Sequence, residues 1–332
     1  MIYKVVTNWF PPMLHAIWRA IIRTMTQSIY VLGEALMDCL AQADGSLRPY
    51  IGGSPYNLAR AAALHGAEVV FINPFSTDEF GKQMLAQLAQ DAVRPLQAPS
   101  ALPTSLAVVQ IKDGQPSYGF YREGIADRDY TPDRVLELLG SLPPGVFHTG
   151  SLLLVPPEHH KVIAVIQGLK KRGWTISVDA NLRPKLASSL TEYVAAVHAV
   201  LQLADWIKAS DEDLELLGFA NPSRANAPQI AAQLAGWGAQ RIALTFGGAG
   251  AWLQVDGAQA ERDVPVVQIA DTVGAGDTFW GNCLADWALT TEGAAQRVAS
   301  TLRYAMQAAA INCTRQGCQP PRHAEVVQSL GQ

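Results

Sequence analysis

Cysteine is scarce in this 332-residue chain. Cys39, Cys283, Cys313 and Cys318 are too few and too scattered to staple a secreted scaffold. No CxxC pair stands near histidines, and none of the seven histidines follows an HExxH spacing, so zinc has no obvious ligand set. His159 and His160, beside Pro157 and Glu158 at a helix start, are read as solvated. A reducing, cytoplasmic compartment fits this usage. No run reaches the ~18 apolar residues that span a bilayer, which argues against a membrane helix. Positive charge is also short: 25 Lys plus Arg face 29 Asp plus Glu, a net charge of −4. A dedicated nucleic-acid binder needs the opposite balance to neutralise phosphates. The P-loop pattern GxxxxGK[ST] is missing, and Gly247-Gly248-Ala249-Gly250 does not satisfy GxGxxG, which removes the Walker and Rossmann routes to a phosphate site. Internal repeats and low-complexity tracts are missing too.

Apolar residues make up 49% and charged residues 16%, which excludes wholesale disorder, and the 27 Gly and 20 Pro lack the collagen period. At ~150 residues per domain, the length allows one large domain or two ordinary ones. Residues 1–27 mix Trp9, Trp18 and Ile21 with Lys4, Arg19 and Arg23, broken by Pro11-Pro12. They lack the clean apolar run and small-residue cleavage site of a signal peptide. A loose tail ahead of Met25 and an interfacial amphipathic segment both remain open for them.

From Ser28 onward, β-rich runs alternate with helical stretches: VVFINPF before a helix near Phe80–Ala89, WTISVDA after one near Glu158–Arg172, then ADWIKAS and RIALTF. Such alternation predicts βαβ units in a doubly wound, mostly parallel sheet flanked by helices, an α/β fold. Two regions break the pattern, about 39–51 and 105–121, the second around Lys112-Asp113-Gly114. Both read as hairpins that pair into a small antiparallel β lid over a site. The expected organisation is one domain, 28–332, with that lid.

The most informative stretch is DTVGAGDTFWGNCLADW, from Asp271 to Trp287. Gly274, Ala275 and Gly276 precede an apolar helical pattern, and a glycine-rich helix N-terminus can hold an anion on free amides and the dipole. Asp277 beside such a site repels an anion unless it has a task, and accepting a proton from an attacking hydroxyl is one. A plain dipole-favouring residue in the first turn is the alternative. Thr245, Gly247 and Gly250 form a second glycine-rich turn at a strand's carboxyl end, where open α/β sheets bind ligands, although a hairpin turn explains them equally well. Two phosphate cradles would suit a nucleotide. Near the start, VLGEALMD brings Gly33, Glu34 and Asp38 after a strand, and IGGSPYNLARAAALHG reads as a helix capped by Ser54, opened by Pro55 and ended by Gly66. Capping leaves Asp38 and Asn57 unexplained. A carboxylate and an amide beside a glycine turn suit the vicinal hydroxyls of a polyol.

Over Ser28 to Pro321 the chain resembles the ribokinase-like (PfkB) carbohydrate kinases. DTVGAGDTF is similar to that family's carboxyl-terminal signature and GGSPYNLARAAALHGAEVVFINPFSTDEFGKQM to its amino-terminal one. GEALMD, FYREGIAD and DANLRPKL look most like bacterial fructokinases, with 2-keto-3-deoxygluconate kinases close by. The resemblance implies that Asp277 is the base for a sugar's primary hydroxyl and that the amides of Gly274, Ala275 and Gly276 stabilise the moving phosphoryl group. It implies that Asp38, Gly53 and Asn57 hold sugar hydroxyls while Arg122 closes over them. For ATP it implies Lys208, Ser210, Thr245, Gly247 and Gly250, and for Mg2+ bound through water it implies Asp213, a shortened form of the usual Glu. Ser210 stands for a more usual Asn, and Met306 for an Asn that often borders adenine. A monovalent cation such as K+ would sit on Asp271 and the carbonyls of Val273, Asn312, Arg315 and Gly317. Arg122 and Arg183 could serve a sugar or a sugar acid: two convergent guanidinium groups would favour the acid, neutral donors fructose. The expected function is an ATP-dependent fructokinase. The alternatives are a 2-keto-3-deoxygluconate or other sugar kinase, or a non-catalytic sugar or nucleotide sensor. A homodimer joined through the lids is expected, with no nucleic-acid or membrane partner.

Overall fold

A computed structural model describes residues 26–42, 44–112, 115–290 and 293–331. Most of the extension, 1–25, lies outside the described residues, as do Asp113 and Gly114 of the expected turn. The chain opens with β1 (Ile29–Val31), the hairpin β2 (Leu36–Ala41) and β3 (Leu47–Gly52), then α1 (Ser54–His65). It continues with β4 (Val69–Phe71), α2 (Glu79–Gln90), β5 (Val93–Pro95) and a second hairpin, β6 (Ser105–Lys112) and β7 (Gln115–Tyr121). Next come α3 (Pro132–Gly140), β8 (Val146–Gly150), α4 (His159–Lys170), β9 (Thr175–Asp179), α5 (Leu190–Leu201) and β10 (Trp206–Ser210). After α6 (Asp211–Leu216) and α7 (Ala227–Gly236) follow β11 (Arg241–Thr245), β12 (Ala251–Val255) and β13 (Ala258–Arg262). Three helices close the chain: α8 (Ala275–Leu289), α9 (Val298–Cys313) and α10 (His323–Leu330).

The large sheet has nine strands in the order β13-β12-β11-β10-β9-β8-β1-β4-β5. Its pairs from β11 to β5 are all parallel, and β12 and β13 add an antiparallel edge. Strand alternation splits the apolar side chains between two cores. Ile29 and Val31 enter the one beneath α1, α8 and α9, while Tyr30 and Leu32 enter the one beneath α3, α4, α5 and α7. Helices cover both faces, so the sheet is doubly wound. Strand order reverses at β1, whose neighbours are β4 on one side and β8 on the other. Such a switch point leaves a crevice at the carboxyl ends of the strands.

The two hairpins form a separate four-stranded sheet in the order β3-β2-β6-β7. Each hairpin is antiparallel, and the two join by parallel pairing of β2 with β6, from Leu36↔Ser105 to Leu40↔Val109. Leu36, Asp38, Leu40, Tyr50, Ile51 and Phe120 from this sheet line the same cavity as the loops after β1, β8 and β9, so it stands over the crevice. Asp78 helps hold it there. It caps α2 through the Gly81 amide at 2.8 Å and accepts from the amide and hydroxyl of Thr104, just ahead of β6.

Candidate active site

The cavity measures about 790 Å³. Along one wall lies the start of α8, whose N-cap Gly274 has φ 73. A side chain there would be strained, and its Cβ would fall 2.2 Å from Cys318 Sγ, so only glycine lets the turn close. Gly274, Ala275 and Gly276 all line the cavity. The Ala275 amide is partly committed, since it donates to the Thr272 carbonyl at 3.2 Å. A Cβ on Gly276 would stand 3.1 Å from Lys208 Nζ, which places the ammonium against the helix N-terminus. Dipole and cation therefore act together on anything bound there.

Asp277, in the first turn of α8, is only 8% exposed. Its Oδ1 accepts from Ser54 Oγ at 2.7 Å and its Oδ2 from Asn57 Nδ2 at 3.0 Å. Burial pushes its carboxyl up, against those two hydrogen bonds and the charges of Lys208 and Arg183. Close packing of α1 on α8 makes the arrangement reachable. Gly281, one turn along, has no Cβ, and one placed there would stand 2.7 Å from the Leu58 carbonyl of α1. Ser54 is thus not the cap it was expected to be. The N-cap of α1 is Gly53, and the hydroxyl of Ser54 is spent on Asp277 instead.

Asp38, Gly53, Asn57 and Arg183 also line the cavity. Burial raises the Asp38 carboxyl to about 6, with Asp277 adding to the rise and Arg183 opposing it. Lys208 is 4% exposed and bonds Asp179 Oδ2 at 3.0 Å. Burial disfavours its charge, but Asp179, Asp213 and Asp277 outweigh that and keep it cationic. Beneath the pair, burial and the lysine push His148 down to about 3, so this imidazole is neutral. Asp179 was missed in the sequence, where DANLRP showed an acid at a strand end but not the lysine on the neighbouring strand. Asn181, Lys185, Ser151 and Glu212 also line the cavity and were equally unmarked.

Other expected residues are drawn elsewhere. Arg122, expected over the sugar, does not line the cavity; its Nη1 donates to Ser105 Oγ and Asp127 Oδ2, both at 3.0 Å. A buried Asp127 carboxylate requires a cation, and Arg122 supplies it at the base of the small sheet. Asp213, expected to hold Mg2+ through water, is 4% exposed and does not line the cavity; its Oδ1 accepts the Leu182 amide and its Oδ2 the Ser210 amide. Ser210 caps α6 by accepting the Asp213 amide, and of this segment it is Glu212 that reaches the cavity. Thr245, Gly247 and Gly250 lie outside the cavity lining. The glycines make the turn from β11 to β12, closed by Phe246 N–H donating to the Gly250 carbonyl at 2.9 Å. Met306 is packed in the core and does not reach the cavity.

The residues expected to hold K+ are largely brought together but already engaged. Asp271 accepts from the amides of Val273 and Gly317 and from Gln316 Nε2. The Val273 carbonyl accepts from Asn312 Nδ2 and the Asn312 carbonyl from the Arg315 amide. These donors tie the loop, yet each oxygen keeps acceptor capacity, so Asp271 and the Val273 and Asn312 carbonyls are the groups that would hold a cation there, and no step is routed through one.

The pfkB family carbohydrate kinase profile matches residues 26–325. The chain is 30% identical over 268 residues to a fructokinase of Rhizobium leguminosarum bv. trifolii, covering 77% of this chain and 78% of that one. It is 31% identical over 321 residues to probable fructokinase-4 of Arabidopsis thaliana, covering 91% and 96%. The fold superposes on fructokinase with bound ATP from Xylella fastidiosa with a TM-score of 0.77 at 28% identity, covering 92% of this chain and 99% of that one. A glycine-bounded helix N-terminus, an aspartate in its first turn and a crevice at the strand ends agree with the match, and the chain belongs to the pfkB family of carbohydrate kinases.

Proposed function

We propose that this sugar kinase is a fructokinase, transferring the γ-phosphate of Mg2+-ATP to the 6-hydroxyl of D-fructose to give fructose 6-phosphate. The observation that carries the proposal is Asp277, buried beside the Gly274–Gly276 turn with both oxygens oriented by α1. In that position the carboxylate takes the proton of the attacking hydroxyl, and the Gly276 amide and Lys208 stabilise charge on the phosphoryl group. Asp38, Asn57 and Gly53 face the sugar, and the small sheet acts as a lid that excludes water, the competing nucleophile. Fructose is preferred over a sugar acid because only one of the two candidate guanidinium groups, Arg183, reaches the cavity. The exposed Leu47 and Tyr121 of the lid suit a homodimer joined there.

The test is coupled ADP release with Mg2+-ATP over fructose, ribose, glucose, 2-keto-3-deoxygluconate and adenosine, with a no-sugar control. Release confined to fructose, and lost by ~10²-fold or more in Asp277→Asn with sugar binding retained, is the expected result. Release with the sugar acid alone would reject fructose, and near-normal turnover in Asp277→Asn would reject the base. No release with any sugar would favour a sensor.

A further inference from the structure

The loop after α9 borders a second cavity, of about 270 Å³, as well as the first. Gln316, Gly317 and Cys318 face the active-site cavity, while Arg315, Gln319 and Pro320 face the other. The side chain of Cys318 fills the space beside Gly274, where a Cβ would fall 2.2 Å from its Sγ, so the place of this loop sets the place of the turn that opens α8. Two of its bonds run to the residues on either side. The Gly317 amide donates to Asp271 Oδ2 at 2.9 Å, and the Gln319 amide to Asn312 Oδ1 at 2.8 Å, while Asn312 Nδ2 holds the Val273 carbonyl. A third bond comes from α1, where Arg60 Nη1 donates to the Cys318 carbonyl at 3.1 Å. Arg60 stands three residues after Asn57, so α1 bonds Asp277 from its first turn and the loop beside Gly274 from its second.

Arg60 is 7% exposed, and its Nε donates to Asp91 Oδ2 at 2.7 Å, where Gln87 Nε2 also donates at 3.0 Å. Asp91 stands at the carboxyl end of α2, so the guanidinium is anchored in one direction before it reaches Cys318. A buried ion pair of this kind adds little net stability, since apolar side chains of similar volume often serve as well or better. What they do not supply is a donor that bridges two acceptors at fixed angles, which the planar guanidinium does. Resting on the sugar-kinase reading above, in which the phosphoryl group meets the Gly274–Gly276 turn, we propose that Arg60, anchored by Asp91, is a positioning residue for phosphoryl transfer. It fixes the turn relative to Asp277, and so the line from the base to the phosphoryl group. Because Arg60 lies outside the active-site cavity, its effect falls on the transfer step and not on sugar binding.

The experiment measures melting temperature, kcat and the KM of the sugar the protein turns over, in the unaltered protein and in Arg60→Met combined with Asp91→Leu. The double substitution removes both charges together, so the melting temperature should stay close to that of the unaltered protein. Turnover should nevertheless fall by about 10- to 100-fold in kcat, the cost of a small misplacement of reacting groups, while KM for the sugar stays put. A purely structural role would let kcat return with the melting temperature, and full kcat in the folded double variant overturns the proposal. A loss carried by the sugar KM with kcat intact overturns it too. Should the double variant not fold, Arg60→Lys decides. Its single ammonium keeps a cation for Asp91 but does not reproduce the separate directions of Nε and Nη1, so kcat should still fall, and unchanged kcat overturns the proposal. Inactivity of the unaltered protein with every sugar would instead overturn the kinase reading on which this one rests.

Discussion

Ser54 Oγ donates to Asp277 Oδ1 at 2.7 Å, joining the first turns of two helices whose residues lie 223 positions apart. Together with Asn57, this bond opposes the burial that raises the Asp277 carboxyl. Ser54→Ala should therefore raise that carboxyl further. A base works ionised, so the acid limb of the kcat profile should move to higher pH, and turnover at neutral pH should fall by roughly 10-fold. A pH-rate series on both proteins checks this, and an unmoved acid limb would deny Ser54 its part.

Gly281 should act on the same bond from a distance. A Cβ 2.7 Å from the Leu58 carbonyl forces α1 and α8 apart. Gly281→Ala is expected to cost about 1–3 kcal/mol of stability. It should also lower kcat well beyond what partial unfolding explains, because Ser54 and Asn57 move off Asp277. Thermal melts beside turnover separate the two effects.

Lys208 and Asp179 form a pair buried to within a few percent. Burial raises the Asp179 carboxyl to about 7 even with Lys208 opposing it, so Lys208→Met leaves a protonated, unpaired acid in the interior and should destabilise by about 1–3 kcal/mol. Adding Asp179→Leu should restore most of the melting temperature but not the turnover, since the cation at Gly276 stays missing. Recovery of both would mean that the pair is structural only.

Asp38 contributes a pH dependence of known sign. Its folded-state value of about 6 lies above the ordinary 3.8, so the folded protein binds the extra proton between them. The stability due to this group is fully present below the ordinary value and is lost as pH rises through about 6. Sugar binding runs the other way, because the ionised carboxylate is the better acceptor. KM for the sugar should rise as pH falls below about 6, and Asp38→Asn should flatten that rise.

Much of this was legible along the chain. The alternation of strand and helix, the two hairpins and the Gly274–Asp277 turn each depend on neighbours within a few residues, and periodicity or glycine spacing reports them directly. Ser54 was misread because capping is the commonest use of a serine before Pro55, and nothing local announces a carboxylate from the far end of the chain. Arg122 and Asp213 stand outside the cavity lining for a related reason. Each fits a motif position, yet each is claimed by a buried partner, Asp127 for one and the Leu182 and Ser210 amides for the other.

By itself the sequence determined the doubly wound sheet, the hairpin sheet and the glycine-rich helix start, since these follow from hydrophobic period and backbone freedom. Only the tertiary structure decided which polar side chains face the cavity. That choice depends on which buried charges and amides must be satisfied across strands and helices distant in sequence.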